Sequence, residues 1–237
     1  MSRIEAAFAR IRERGRPGLV TYVTAGDPSL EQSAAILERL CAAGADVLEV
    51  GVPFSDPLAD GPVIQRATER ALAGGATLAG VLDMVAGVRG RLSAPVVIFT
   101  YANPVLRMGL DVFADRAARA GVDGVLTLDV PPEEADGLRS AFSARGIDTI
   151  FLLSPTTTSE RIRAPRPSGA GSCMGSRGSA SPERATTWPT RRRHWPSACA
   201  PSPQCRWHSG SACRGPSTFA TSASGPTPPW SAARWCR

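Results

Sequence analysis

From residue 164 to its end, the 237-residue chain contains no Leu, no Ile and no Val. A packed core is built largely from those three residue types. The final stretch offers only Met174, Phe219, five Trp and small side chains in their place. Residues 164–237 are therefore expected to form a disordered tail, and folding capacity is confined to residues 1–163. Charge divides at the same point. Residues 1–163 hold 20 of the 21 acidic residues and 17 of the 27 arginines, for a net charge of −3; the tail holds Glu183 against ten arginines, for +9. The overall charge of +6 belongs to the tail, so it is no argument for a nucleic-acid partner, and the run Arg191-Arg192-Arg193-His194 is taken the same way. Cys199, Cys205, His208 and Cys213 lack a paired C-x-x-C spacing, and no metal is expected. No apolar run approaches the ~20 residues needed to span a bilayer, and the N-terminal segment is amphipathic and charged. With Cys41 alone among the first 163 residues, a cytoplasmic protein without a membrane partner is expected.

Within residues 1–163, short β-branched runs alternate with longer segments of helical periodicity. Val20–Thr24, Val47–Val50, Val96–Thr100, Val125–Leu128 and Thr149–Leu153 are apolar nearly throughout, as in a parallel sheet covered on both faces. Leu30–Ala42, Val63–Ala73, Leu78–Arg91, Val112–Ala120 and Glu133–Ala144 show apolar residues at i, i+3, i+4 spacing, and Arg3–Arg14 predicts an additional N-terminal helix. Asp27-Pro28-Ser29 is a helix start, Gly44 and Gly121 are helix stops, and Pro131-Pro132-Glu133-Glu134 places Pro and acid in a first turn. Such a series fits about the first five units of a (β/α)8 TIM barrel, which needs eight units and ~250 residues. A doubly wound open sheet is the alternative, although no GxGxxG follows the first strand.

In both architectures ligands bind at the carboxyl ends of the strands, which directs attention to three segments. Glu49 lies inside the second strand among Val47, Leu48 and Val50, where burial penalises its ionised form and suits it to general acid/base work. A purely structural carboxylate, satisfied by backbone N–H groups, fits the position equally well. Asp60 lies in the Pro-rich loop Pro53–Pro62, where it is either a functional carboxylate or a turn or N-cap residue for the helix at Pro62. Tyr101-Ala102-Asn103-Pro104 ends the third strand and Asp129-Val130-Pro131 the fourth; each alone is satisfied by turn chemistry.

Taken together, Phe8, Val23-Thr24-x-Gly26-Asp27-Pro28, the run Gly44-Ala45-Asp46-x-x-Glu49-x-Gly51 through Asp60-Gly61-Pro62, Tyr101-Ala102-Asn103-Pro104, Asp129-Val130-Pro131 and Ser154-Pro155-Thr156-Thr157 resemble the tryptophan synthase α subunit family. The resemblance implies a TIM barrel that cleaves indole-3-glycerol phosphate to indole and glyceraldehyde 3-phosphate by a retro-aldol reaction without a cofactor. It makes Glu49 the general acid/base and Asp60 the carboxylate that stays ionised beside the indole N–H. Tyr22, Thr100, Tyr101, Leu126 and Leu152 match positions walling the indole pocket. Pro53, Asp56, Asn103, Asp129 and Pro131 match the surface that docks the β subunit in an α2β2 tetramer, where pyridoxal phosphate belongs to the β subunit. The enzyme that forms indole-glycerol phosphate, another phosphate-binding barrel, would be expected to carry a catalytic lysine, and this chain has no Lys.

The resemblance stops after Arg161-Ile162-Arg163. The family's last three units supply a mobile loop and the backbone N–H groups that hold the substrate phosphate. Back-translation of Gly178–Thr187 as GGC TCG GCG TCA CCG GAG CGC GCG ACG AC, started two bases later, gives LGVTGARDD, like the mobile loop. The same shift permits PVALGFG over Cys205–Ala212 and VGSALV over Trp230–Cys236, like the seventh and eighth strands. Residues 164–237 are accordingly read as an out-of-frame translation of the barrel's final third, from a one-base change near codons 163–166. The alternative for the literal chain is a catalytically dead, poorly folding remnant.

Overall fold

Five strands lie parallel and in chain order, each joined to the next by at least one helix, so that every strand has the same end at the same edge of the sheet. The computed structural model describes residues 1–153 apart from Arg16, together with the backbone of residues 171–175 and 234–236, all within one structural unit. The elements are α1 (Arg3–Glu13), β1 (Val20–Thr24), α2 (Leu30–Ala42), β2 (Val47–Gly51), α3 (Pro62–Ala73), α4 (Leu78–Val88), β3 (Val96–Thr100), α5 (Ala102–Met108), α6 (Leu110–Arg119), β4 (Gly124–Thr127), α7 (Asp136–Ser143), β5 (Asp148–Leu153), β6 (Gly171–Gly175) and β7 (Arg234–Cys236). β6 continues the parallel order beside β5, and β7 runs antiparallel to β6.

The register runs Tyr22–Glu49–Val97–Gly124–Asp148 across β1 to β5. Because side chains alternate along each strand, this row and the rows two residues away share one face. Val20, Val47, Val97, Leu126 and Ile150 form that inner face together with Ile4 from α1, and all six are buried. The opposite face packs Leu48, Val50, Ile98 and Val125 against Leu37 of α2, Val81, Leu82 and Val85 of α4, Phe113 of α6 and Phe142 of α7.

Helix α1 crosses the amino ends of the strands. Ser2 caps it in a reciprocal pair with Glu5, and the Ser2 hydroxyl also donates to Asp148 at 2.7 Å, at the start of β5. Ile4 reaches the inner cluster over Gly124, where an added Cβ would lie 2.8 Å from Ile4 Cδ1. The same edge is tied by Asp123. Its carboxylate accepts from the Val96 N–H at 2.8 Å and from the Arg89 guanidinium at 3.1 Å, while Arg89 also donates to the carbonyls of Gly121 and Leu92.

Most boundaries expected from sequence agree with these elements, and the departures have local causes. The segment Tyr101–Pro104 opens the short helix α5 instead of forming only a turn. Pro104 falls in its first turn, where a missing N–H costs nothing, and the Asp129 carboxylate accepts from the Ala102 N–H at 2.8 Å. The helix expected from Glu133 starts at Asp136, after a 3-10 turn at Pro132–Glu134. In the stretch expected to lack structure, Gly171–Gly175 and Arg234–Cys236 are strands; the rest of it, including the four candidate metal ligands, lies outside the described residues. Strand pairing uses main-chain groups, so the open edge of β5 accepts an extended segment that has no Leu, Ile or Val. Replacing Ile4 with Ala removes the side chain through which α1 enters the inner cluster. We expect a loss of about 2–5 kcal/mol in chemical denaturation, whereas a loss below 1 kcal/mol would show that α1 does not close this face.

Candidate functional site

The carboxyl ends of β2, β3 and β4 and the loops that follow them bring the expected residues to one rim. Glu49 sits on the inner face of β2, only 1% exposed, between Tyr22 of β1 and Val97 of β3. Asp60 lies at the end of the loop that leaves β2. The N-cap of α3 is Gly61 with no side-chain cap, so the carboxylate of Asp60 is not engaged at that helix start. It accepts instead from the Tyr101 hydroxyl at 3.1 Å, and that hydroxyl accepts from the Ala59 N–H at 3.0 Å. Gln65 donates to the Asp60 carbonyl at 2.9 Å, and the Phe54 ring packs on Tyr101 with centroids 5.2 Å apart. The loop is thus fastened to the end of β3 through one phenol.

Of the expected pocket walls, Tyr22 and Tyr101 are buried, Leu126 belongs to the inner cluster and Leu152 packs against it. Thr100 is also buried, but it follows the inward-packed Phe99 in the pleat and lies on the other face, its hydroxyl donating to the Tyr101 carbonyl at 3.2 Å. The inward side chain at this end of β3 is that of Phe99. Its ring meets Tyr22 edge to face, with centroids 5.1 Å apart and planes at 74°. Strand alternation counted from Val97 would have singled it out. Among the expected docking residues, Pro53 is buried and Pro131 half-buried, whereas Asp56, Asn103 and Asp129 are exposed. Leu58, 95% exposed in the same loop as Asp56, and Leu106, 63% exposed on α5, add apolar surface.

Burial pushes the Asp60 carboxyl above its ordinary value, and the Tyr101 hydroxyl opposes that shift by donating to the ionised form. Tyr101 is pushed up to about 12, first by burial, against the donation from the Ala59 N–H and with the charge of Asp60 adding to the rise. Burial likewise pushes the Tyr22 phenol strongly up. Both phenols are neutral donors at neutral pH. A fully buried carboxyl, a second carboxylate anchored by a phenol, and walls of Tyr22, Phe99, Leu126 and Leu152 suit a flat apolar ring that bears an N–H and exchanges protons. In a Tyr101→Phe protein the donor to ionised Asp60 is gone, so the Asp60 titration midpoint, followed by carboxyl carbon NMR, is expected to move to higher pH. A midpoint that stays or falls would contradict the hydrogen bond.

A family model described as tryptophan synthase alpha chain matches residues 8–171. The tryptophan synthase alpha chains of Marinobacter nauticus and Burkholderia mallei are each 54% identical over 165 residues, covering 69% of this chain and 61% of theirs. The crystal structure of tryptophan synthase subunit alpha from Legionella pneumophila superposes with a TM-score of 0.67 at 44% identity, over 69% of this chain and 63% of that one. Tryptophan synthase from Mycobacterium tuberculosis gives 0.66 at 41% identity, over 69% and 66%. This chain therefore spans about 61% of the length of the curated relatives it matches. Its five parallel strands are the opening units of their TIM barrel, and the chain belongs to the tryptophan synthase alpha chain family.

Proposed function

We propose that the protein acts in tryptophan biosynthesis as a lyase, cleaving indole-3-glycerol phosphate to indole and glyceraldehyde 3-phosphate. The observation that carries this reading is the pairing of Glu49, fully buried on the inner face, with Asp60, held at the rim by Tyr101. Glu49 delivers a proton to the ring carbon that bears the side chain, giving a cationic indolenine. Asp60, ionised beside the ring N–H, stabilises that positive charge. Glu49 then takes the proton of the hydroxyl on the attached carbon. The oxygen electrons form a carbonyl, the carbon–carbon bond breaks, and its electron pair returns to the ring to neutralise it. Proton and electron balance closes within the two residues and the substrate, and the chain needs no cofactor of its own.

The rim formed by Pro53, Asp56, Asn103, Asp129 and Pro131, with exposed Leu58 and Leu106 beside it, is the surface proposed to dock a β subunit, the holder of pyridoxal phosphate in an α2β2 tetramer. The proposed setting is the cytoplasm; among the described residues no single helix is long and apolar enough to cross a membrane. Neither nucleic acid nor membrane is a proposed partner.

The length of the match favours a second reading, in which the literal chain is a remnant without turnover. The chain spans 61% of its relatives' length, and we infer that residues 164–237 are an out-of-frame reading of the units that would hold the substrate phosphate. Binding energy from such a remote group is what positions a reacting centre. An indole-release assay on the purified chain, with circular dichroism as a check on folding, separates the two. Lyase function requires indole release that falls at least about a hundredfold in Glu49→Gln. A chain that releases none, or that folds poorly, supports the remnant.

A further inference from the structure

The proposed chemistry gives Tyr22 no role beyond an apolar wall, yet its hydroxyl is set up with some care. The phenol projects from β1 over β2, where Gly51 leaves room for it. An added Cβ at residue 51 would lie 2.1 Å from the Tyr22 oxygen and 2.5 Å from Cζ, so any other residue there would displace the hydroxyl. Phe99 fixes the ring from its edge at 5.1 Å. The Thr24 hydroxyl donates to the Tyr22 oxygen at 3.4 Å, which occupies an acceptor site and leaves the phenol proton uncommitted. Among the described residues no protein group takes that proton, although Tyr22 is only 5% exposed. Burying a polar hydrogen without an acceptor is costly unless a ligand supplies one. Its neighbours in space are the groups of the site itself: Glu49 is its register partner, and the charges of Asp60 and Glu49 both act on it.

We propose that Tyr22 is a specificity-determining residue whose hydroxyl donates a hydrogen bond to the oxygen on the ring-attached carbon of the substrate side chain. The inference rests on the lyase site proposed above and adds to it a selection for indoles that carry a hydroxyl at that carbon. When Glu49 removes the proton of the same hydroxyl, the Tyr22 donor faces the oxygen as its negative charge grows, and it transfers no proton itself. Strong elevation of the phenol pKa by burial keeps Tyr22 a donor throughout the working pH range.

The test uses the full chain with two probes that differ by one hydroxyl, indole-3-carbinol and 3-methylindole. The protein has two tyrosines, so labelling with tyrosine carrying carbon-13 at Cζ gives two signals, assigned with Tyr101→Phe. The Tyr22 signal is expected to move with the carbinol and to respond little to the methyl compound. In Tyr22→Phe, the dissociation constant for the carbinol should rise about fivefold to tenfold relative to that for 3-methylindole, the change expected for one neutral hydrogen bond. Binding of both probes with equal responses of Tyr22, or an unchanged ratio in Tyr22→Phe, would overturn this inference and leave the lyase site standing. Binding of neither probe would overturn both. The NMR comparison uses the native Tyr22 and holds even if Tyr22→Phe fails to fold.

Discussion

The register of β1 to β5 is the constraint on which the rest of the structure depends. Once Tyr22, Glu49, Val97, Gly124 and Asp148 stand in one row, alternation sends the rows through Val20, Val47, Leu126 and Ile150 to the same inner face. A slip of one residue in β2 would turn Glu49 into the helix layer beside Leu37 and Val85, and would place Leu48 and Val50 inside. The chemistry proposed for Glu49 therefore follows from the hydrophobic pattern that also makes the sheet fold. Gly124 belongs to the same constraint, because Ile4 of α1 occupies the space its side chain would fill.

A second dependence links the loop after β2 to the end of β3. Tyr101 receives the Ala59 N–H, donates to Asp60 and packs on Phe54, so the position of Asp60 relative to Glu49 is set by a residue from another strand. One phenol thus couples loop conformation and carboxylate electrostatics. Asp129 has a comparable role after β4, where its carboxylate fixes the start of α5. Both residues sit at the rim proposed above for the reaction and for docking a partner.

Much of this is legible in the sequence. The β-branched runs locate β1 to β5, and Asp27-Pro28-Ser29 marks a helix start that the structure retains. Glu49 is conspicuous as the one charge in an apolar strand. Other features are not legible, because they depend on long-range contacts. Position alone does not separate Asp60 from a helix cap; the Tyr101 hydroxyl, reached across 41 residues of sequence, does so. The segment at Asn103-Pro104 carries turn residues, and its helix is secured by Asp129 from the next unit. Motif matching points to Thr100 where strand parity points to Phe99. The short strands at 171–175 and 234–236 have no signal in their side chains, since an open strand edge selects by backbone alone.

The surface that β1, β2 and β3 build from Tyr22, Glu49 and Phe99 is proposed to accept indole. Titrating the full chain with indole while recording backbone amide and methyl NMR spectra tests it most directly. The expected result is saturable shift changes concentrated at Tyr22, Glu49, Phe99, Leu126 and the Asp60 loop. Indole binding that shifts none of these resonances, or no saturable binding by a folded chain, would contradict the claim.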